Sequence, residues 1–286
     1  MEYRVPPLTV AFMGIAAFAG VAIPVLLFLY FRKKYKADAL PFFIGCAVFL
    51  VFVIILETLA HNLILTSPAG VKIQANAWFF GAYGGLMAGL FEETGRLVAF
   101  MTALRKKRGR DINALMYGAG HGGFEAFYLL GVSMVSNLAI AMALNFGASG
   151  SLTAGVMDPV ALAQLEATFA ALAATPSAMF LAGIVERIAA VAMHLSFSVL
   201  VWFAVKQKCK MYLFPLAILL HALVDMVVVV LSRSVSNVWL IEGAVYVMAA
   251  ACVLVALRVW KKYASADALQ PEPDAPQPEP GAPEGA

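Results

Sequence analysis

The feature that most constrains this chain is a series of apolar runs, each about 20 residues long, which recur from residue 8 to residue 259. A helix of about 20 residues rises about 30 Å, the thickness of the hydrocarbon core of a bilayer. Hydrophobic residues make up 62% of the 286 residues, and charged residues only 13%. The pattern therefore predicts an all-α fold, a polytopic transmembrane helical bundle.

We expect about seven membrane spans, with an eighth crossing inside residues 132–175 as the alternative. The predicted spans are residues 8–31, 40–59, 79–104, 112–131, 179–205, 212–231 and 238–259. The run from Val132 to Phe146 is apolar but short for a span, so we expect a re-entrant or interfacial segment there. Residues 159–175 are expected to form a short amphipathic helix.

The C-terminal residues 264–286 differ in composition, since they are rich in Pro, Ala, Gly and acidic residues. A segment of this kind cannot bury enough apolar surface to fold, so we predict a disordered tail. The chain would then consist of one membrane domain, residues 1–263, followed by that tail. The cysteines Cys46, Cys209 and Cys252 are scattered, which argues against a disulfide framework or a thiolate metal site.

Basic residues cluster in short loops at residues 32–36, 105–110, 206–210 and 258–262. Such clusters favour the cytoplasmic side of a membrane. Seven crossings place all four clusters on that side when the N-terminus is outside and the C-terminus is cytoplasmic. We therefore expect a multi-pass protein of the bacterial plasma membrane, whose basic loops contact lipid. This clustering gives no support to nucleic-acid binding, and the sequence does not predict an oligomeric state.

Near the middle of four of the apolar runs lie charged residues or histidines. Charges inside a bilayer cost several kcal/mol each, so such residues face one another within a bundle and indicate a functional site. Glu92, His121, His194 and His221 each lie near the middle of a predicted span, so they should meet at one depth. The full candidate set is Glu92, Glu93, Arg96, His121, Glu125, Glu186, His194, His221 and Asp225.

The spacing within each helix adds to this prediction. Three pairs are four positions apart, which places both members on one helical face. The pairs are Glu92/Arg96, His121/Glu125 and His221/Asp225. Glu92 and Glu93 are adjacent and point partly apart on a helix, so we expect one of them to be structural. Glu186 should lie about 12 Å from His194 along its helix, nearer the outer surface.

These residue types suit the activation of water. A carboxyl group removed from bulk water becomes a usable general base near neutral pH, and a neutral histidine can share the water. Further His and Asp groups can donate to a developing oxyanion. The alternative is a Zn²⁺ ion held by His121, His194 and His221 with a carboxylate. The chain lacks the HExxH motif, and a metal-free mechanism is equally compatible with these residues.

Three motifs between residues 78 and 232 resemble those of known intramembrane proteases. They are FEETGR at 91–96, YGAGH at 117–121 and HALVD at 221–225. They are similar to the Glu-Glu pair with a following Arg, the aromatic-xxx-His and the final His-xxx-Asn/Asp of the CAAX-protease and bacteriocin-processing superfamily. The strings EETGR, MYGAGHGGFEA, ERIAAVAMH and LLHALVD look most like its YhfC branch, a relative of the PrsW proteases.

The resemblance implies an intramembrane peptidase, glutamic or metal-dependent, whose substrate is a membrane protein or a lipidated peptide. Glu92 and His121 would activate water, and His221 with Asp225 would stabilise the oxyanion. The remaining implied roles are to shape the first motif, for Glu93 and Arg96, and to complete the pocket, for Glu186 and His194. Two departures from the family pattern are Asp225, where many relatives have Asn, and Gly95 inside the first motif.

Other interpretations of the same residues stay open. A transporter or proton relay also uses buried Glu, His and Asp, although it predicts repeated halves that the sequence does not show. A haem protein with paired histidines and a non-catalytic scaffold are further alternatives. Glu57 and His61 end a predicted span, so we expect them at the membrane interface. The GxSG string at 147–150 lies in a small-residue loop and is a weak signal for serine catalysis.

Overall fold

The computed structural model describes residues 3–266 and 268, and over that range the chain is helical and loop without strands. The α-helices in chain order are α1 (Pro7–Tyr35), α2 (Leu40–Val48), α3 (Thr58–Leu65), α4 (Pro68–Gln74), α5 (Ala77–Met101), α6 (Ile112–Ala126), α7 (Ser133–Asn145), α8 (Ser149–Thr153), α9 (Pro159–Ala174), α10 (Met179–Lys206), α11 (Leu213–Ser234) and α12 (Val238–Tyr263). The predicted all-α bundle is confirmed. The predicted tail falls mainly outside the described residues, and its disorder stays a prediction.

Six helical stretches of the described chain are long and apolar enough to cross a membrane. They are Pro7–Tyr35, Leu40–Leu65, Ile112–Asn145, Met179–Lys206, Leu213–Ser234 and Val238–Tyr263. Helix α5 has 25 residues, about 37 Å at the usual rise, so it is also long enough. Its charged residues Glu92, Glu93 and Arg96 lower its apolar character. A bundle of about seven spans is the result.

Two π-helical segments join shorter helices into long ones. Phe49–Glu57 connects α2 to α3, and Phe127–Val132 connects α6 to α7. The expectation of a re-entrant or interfacial segment at Val132–Phe146 is therefore wrong, because these residues extend the fourth span in one continuous helix to Asn145. The helix ends at Asn145, and Gly147 just beyond it has a φ of 75°, in the left-handed region. No additional crossing arises there.

Helix α10 lies at the centre of the bundle. Its most apolar stretch is 78% buried inside the protein, whereas the corresponding stretches of the other five apolar spans are 22–28% buried. Helix α10 packs against α1, α5, α6, α11 and α12. Most side chains of this stretch of α10 therefore face protein, and polar groups can be placed there without contact with lipid.

Helices α5 and α11 approach each other through glycine. On α5, Gly81, Gly85 and Gly89 are four residues apart and face the backbone of α11. A Cβ atom added at Gly85 would overlap the carbonyl oxygen of Ala222. Small residues at this spacing allow two membrane helices to pack backbone against backbone. The close approach brings the acidic end of α5 beside the polar face of α11.

A polar network ties the basic loops together at one end of the bundle. Asp38, between α1 and α2, accepts hydrogen bonds from Lys107 Nζ at 3.0 Å and Asn113 Nδ2 at 2.8 Å. Partial burial acts to raise the pKa of Asp38, but the hydrogen bonds from Asn113 and Lys107 and the Lys107 charge outweigh it, so the pKa is lowered. Asp111 is fully buried and accepts hydrogen bonds from Trp202 Nε1, Lys206 Nζ and the Ser265 backbone N–H.

Candidate active site

Glu92 of α5 lies among histidines from three other helices. Its Oε2 atom is 2.9 Å from Nε2 of His121 on α6 and 3.8 Å from Nδ1 of His194 on α10. Its Oε1 atom is 3.8 Å from Nε2 of His221 on α11. All four side chains are buried. The structure thus brings together at one depth the four residues that lie near the middle of their predicted spans.

Glu93 and Arg96 form a fully buried ion pair beneath this group. Arg96 Nε lies 3.1 Å from Glu93 Oε2, and neither side chain is exposed. Arg96 Nη1 donates to the His194 carbonyl oxygen at 2.8 Å and to Ser198 Oγ at 2.6 Å. Arg96 therefore fixes α5 against α10, and Glu93 is held ionised by a permanent cation. Of the two adjacent glutamates, the geometry gives the structural position to Glu93.

His194 is held on both sides of its ring. Arg96 Nη2 lies 3.3 Å from Nδ1 of His194, and Glu125 Oε2 contacts Nε2. Because arginine only donates, Nδ1 accepts and Nε2 carries the proton that is donated to Glu125. Gly122 leaves room for the ring, since a Cβ there would lie 3.0 Å from the His194 Cβ. Nδ1, the atom that faces Glu92, is thereby fixed in orientation.

Glu125 belongs to a line of charges that runs toward one end of the bundle. Its second oxygen contacts Arg187 Nη1, and Arg187 Nη2 donates to Glu186 Oε1 at 2.6 Å. The side chain of Glu186 is 40% exposed, whereas those of Arg187 and Glu125 are 11% and 13% exposed. A continuous polar line therefore connects His194 with the surface.

His221 faces carboxylates through both ring nitrogens. Nδ1 lies 2.9 Å from Glu93 Oε1, and Nε2 lies 3.4 Å from Asp225 Oδ2. The ring stacks on Phe197 of α10 with centroids 4.9 Å apart. The stacking and the Glu93 contact fix the ring so that Nε2 points toward both Asp225 and Glu92.

A cavity of about 100 Å³ joins these groups, which is enough for several water molecules. Its polar lining consists of Glu92, Glu125, Glu186, Arg187, His194, His221 and Asp225. Glu186 and Asp225, whose side chains are 40% and 37% exposed, mark its mouth. Glu186 is at the start of the third turn of α10, toward the end opposite Lys206. The cavity therefore opens at the end of the bundle remote from the basic loops.

Glu92, His121 and His194 fit a metal site by donor type and position. One ligand atom from each lies within 4.8 Å of the others, and the three residues are buried. Two histidines and a glutamate are a ligand set found around catalytic Zn²⁺. His121 Nδ1 is buried and has no hydrogen-bond partner among the described residues. His221, which the sequence placed with the other two histidines, lies outside this group and faces Glu93 and Asp225.

Charge balance in the site requires protons or a cation. Five carboxylates surround the cavity or touch its walls, and two arginines accompany them. The carboxylates are Glu92, Glu93, Glu125, Glu186 and Asp225; the arginines are Arg96 and Arg187. Uncompensated negative charge is costly in a low-dielectric interior, so protons or a divalent ion must neutralise the excess.

Glu57 is a buried acid whose closeness to the site the sequence did not predict; its depth at the membrane interface stays a prediction. Only 6% of the residue is exposed, and it lies within electrostatic range of Glu92, His221 and Asp225. Glu242 of α12, also buried, faces Glu186 and Arg187 and was not singled out. Ser198 was likewise missed, since a serine four residues after His194 carries no distinctive signal.

The fold and this site define a multi-pass membrane protein with a group of ionisable residues inside the bilayer. A family described as YhfC intramembrane metalloprotease matches residues 19–245, and the chain belongs to this family. It is similar to the uncharacterized membrane protein YhfC of Bacillus subtilis (strain 168), with 34% identity over 253 residues, which cover 88% of this chain and 94% of that protein. No solved structure matches the chain.

The resemblance seen in the three motifs is therefore confirmed for the YhfC family. At family level the chain is a membrane protease of multi-pass architecture. Its place in the wider CAAX-protease and bacteriocin-processing superfamily stays a prediction, as do the roles of individual residues.

Proposed function

We propose that the chain is an intramembrane endopeptidase, which hydrolyses a peptide bond of a membrane-associated or lipidated protein with water activated at Glu92 and His121. The observation that carries this proposal is the position of Glu92, whose carboxylate faces three histidines from three helices at 2.9–3.8 Å. A purely structural ion pair needs one partner of opposite charge, and Glu93 with Arg96 already supplies that pair.

Each role follows from a contact within the site. Glu92 accepts the proton of the attacking water, and His121, 2.9 Å away, shares that proton. His221 donates from Nε2 toward the cavity, where it can stabilise the oxyanion that develops on the scissile carbonyl, together with Asp225 when Asp225 is protonated. Glu93 and Glu125 act as positioning residues, because each holds one nitrogen of a histidine ring.

The family description and the geometry both support a metal in this site. Glu92, His121 and His194 would hold the ion, and Glu125 would orient His194 as an outer-shell carboxylate does in other metal sites. A bound Zn²⁺ would supply Lewis-acid polarisation of water and of the substrate carbonyl.

The decisive test compares wild type with Glu92→Gln and His121→Ala in liposomes. A library of prenylated and unmodified transmembrane peptides would be the substrate, and mass spectrometry would identify the fragments. We expect wild type to cleave and both variants to lose about 10²–10⁴-fold in rate, the usual contribution of a general base. Glu242→Gln is the matched control, since it is a buried glutamate that does not touch Glu92 or its histidines.

Metal content measured on the same preparations distinguishes the two mechanisms. One Zn²⁺ per chain in wild type, lost in His121→Ala and in His194→Ala, supports the metal-dependent form. Full cleavage by metal-free protein supports the glutamic form. Wild-type cleavage that persists in Glu92→Gln contradicts the proposed base.

A proton relay is the second candidate function. Glu186, Glu125, His194 and Glu92 line one cavity, in which titratable side chains and water could conduct protons between the mouth and Glu92. It predicts a proton flux across liposomes that falls in Glu92→Gln, in the absence of any peptide cleavage. Neither flux nor cleavage in wild type would favour a scaffold.

A further inference from the structure

A second polar cluster lies beside the site and shares no residue with the lining of the cavity. His61 of α3 contacts Glu57 Oε1 through Nε2 at 3.2 Å and Tyr83 OH through Nδ1 at 2.8 Å. The rings of His61 and Tyr83 pack edge to face with centroids 5.4 Å apart. The cluster thus joins the α2–α3 span to α5, which carries Glu92.

Exposure falls along this cluster from its outer member to its inner member, as expected for a path that leads from the surface into the protein. The side chain of His61 is 31% exposed, and that of Glu57 is 8% exposed. Glu57 lies within electrostatic range of Glu92 on α5 and of His221 and Asp225 on α11. The cluster therefore runs from the surface, at the end of the bundle remote from the basic loops, to the edge of the site.

One atom of Glu57 needs an explanation. Oε2 is buried and has no hydrogen-bond partner among the described residues. A buried carboxylate oxygen without a hydrogen-bond partner destabilises the folded state, because its hydration is lost and not replaced. Where the surroundings are polar, water is the usual partner. Glu57 also ends the π-helical segment, a geometry that is frequent at functional sites.

The same segment borders the site at its other end. Phe49, its first residue, packs edge-on against the ring of His121 with centroids 5.4 Å apart. The segment therefore extends from a residue in contact with the site to a buried acid beside the surface cluster. Its outer face is different in character, since Phe52 and Leu56 line an apolar lipid-facing groove with Leu90, Phe91 and Thr94.

We propose that Glu57, His61 and Tyr83 line a second aqueous path, which carries water from the membrane surface to the Glu92 carboxylate. Hydrolysis consumes one water per peptide bond, and a substrate seated at the mouth between Glu186 and Asp225 would block water from that side. A separate path lets the nucleophile arrive while the substrate is bound. This purpose rests on the proposed hydrolytic function, but the path itself does not.

Cysteine accessibility tests the path without any substrate. In a background in which Cys46, Cys209 and Cys252 are replaced by serine, the variants Glu57→Cys, His61→Cys and Tyr83→Cys would be treated in liposomes with a small cationic methanethiosulfonate. The thiolate attacks the reagent, forms a mixed disulfide and displaces methanesulfinate, so a thiol in hydrocarbon, which ionises poorly, reacts slowly. Leu56→Cys is the matched control, because it is the neighbouring residue on the lipid-facing side.

We expect Glu57→Cys and Tyr83→Cys to react at least about tenfold faster than Leu56→Cys, and His61→Cys to react fastest, because only a hydrated thiol ionises readily. Rates for Glu57→Cys and Tyr83→Cys equal to that of Leu56→Cys would overturn the path. If one variant does not fold, the other still decides the question, since they report from different helices.

The use of the path in hydrolysis is tested with Glu57→Leu and Glu57→Gln. The amide keeps two hydrogen-bonding groups in the path, whereas leucine closes it with an apolar side chain. We expect cleavage to be slower in Glu57→Leu than in Glu57→Gln, with the peptide KM unchanged. Equal rates in the two variants would contradict a role in water supply. Labelling without cleavage in wild type would separate a valid path from a failed protease proposal.

Discussion

At the scale of single residues, Arg96 determines how the site is assembled. Its guanidinium contacts Glu93 on its own helix and His194 and Ser198 on α10. It also lies over the ring of Tyr117, 5.8 Å from the centroid. A planar group with five donors can hold several partners at once, which a lysine ammonium cannot do in this geometry.

Removal of Arg96 should therefore lower the stability of the protein strongly. Arg96→Ala removes the arginine partner of the buried Glu93 and leaves it only the contact with His221, so we expect a loss of about 3–5 kcal/mol in the free energy of unfolding. Denaturant unfolding in detergent micelles measures this loss. Arg105→Ala, which removes an exposed arginine beyond the same helix, is the control and should change stability little.

A double variant separates charge from packing at this position. Glu93→Gln/Arg96→Ala should recover part of the lost stability, because no charge is then left without a partner. A double variant less stable than Arg96→Ala alone would show that the ion pair is not the origin of the effect.

At the scale of helices, the contact between α5 and α11 places the acids beside His221. Gly85→Ala should push the two backbones apart and lower the free energy of unfolding by about 1–3 kcal/mol, as other overpacking substitutions do. Thermal unfolding in detergent measures the change. The control is Gly84→Ala, one residue away on the same helix, where a Cβ meets nothing within 4 Å. A larger loss at Gly84 than at Gly85 would contradict the packing described.

The loop network at the basic end should give stability a pH dependence. The pKa of Asp38 is lowered by its hydrogen bonds to Asn113 and Lys107, so its stabilising contribution is present above the unfolded pKa of about 4 and is lost as pH falls through the lower folded value. Wild type should therefore be more stable than Asp38→Asn at pH 7, and the difference should shrink on acidification. Melting temperatures of both proteins between pH 7 and pH 3 measure it. A difference that stays constant over this range would show that the Asp38 charge is not involved.

At the scale of the whole molecule, the basic loops predict how the protein lies in the membrane. Cys209 is exposed and lies between Lys208 and Lys210. An impermeant maleimide should label it only after the membrane is opened, because positive loops stay in the cytoplasm. Ser67→Cys, at the other end of the bundle, should be labelled in intact cells. The reverse pattern would invert the predicted orientation.

Much of the architecture could be predicted from the sequence, because span length and apolar content depend on the bilayer rather than on tertiary detail. The histidines could be grouped because they recur near mid-span on separate helices. The helical continuation through Val132–Phe146 was not predicted, because the sequence does not show which segments meet in the fold. A long helix can continue beyond the length of a span when another segment binds its end. Asn145 does so here, with two hydrogen bonds to the backbone of Val5.

The burial of Glu57 could not be predicted from its place near the end of a span. The π-helical segment changes which face of the helix its last residues occupy, and no residue type in the sequence predicts that change. The contact of Glu125 with His194 was also not evident, because the sequence paired Glu125 with His121 on its own helix. Side chains four residues apart share a face but need not touch.

The order in which the chain is made has a consequence for the cell. Glu92, His121, His194 and His221 belong to helices that leave the ribosome one after another, and the last of them is followed by a single span. A chain interrupted before α11 holds the glutamate and two histidines but neither His221 nor Asp225. Under the proposed function such a product lacks the groups that would stabilise the oxyanion, and we expect it not to cleave.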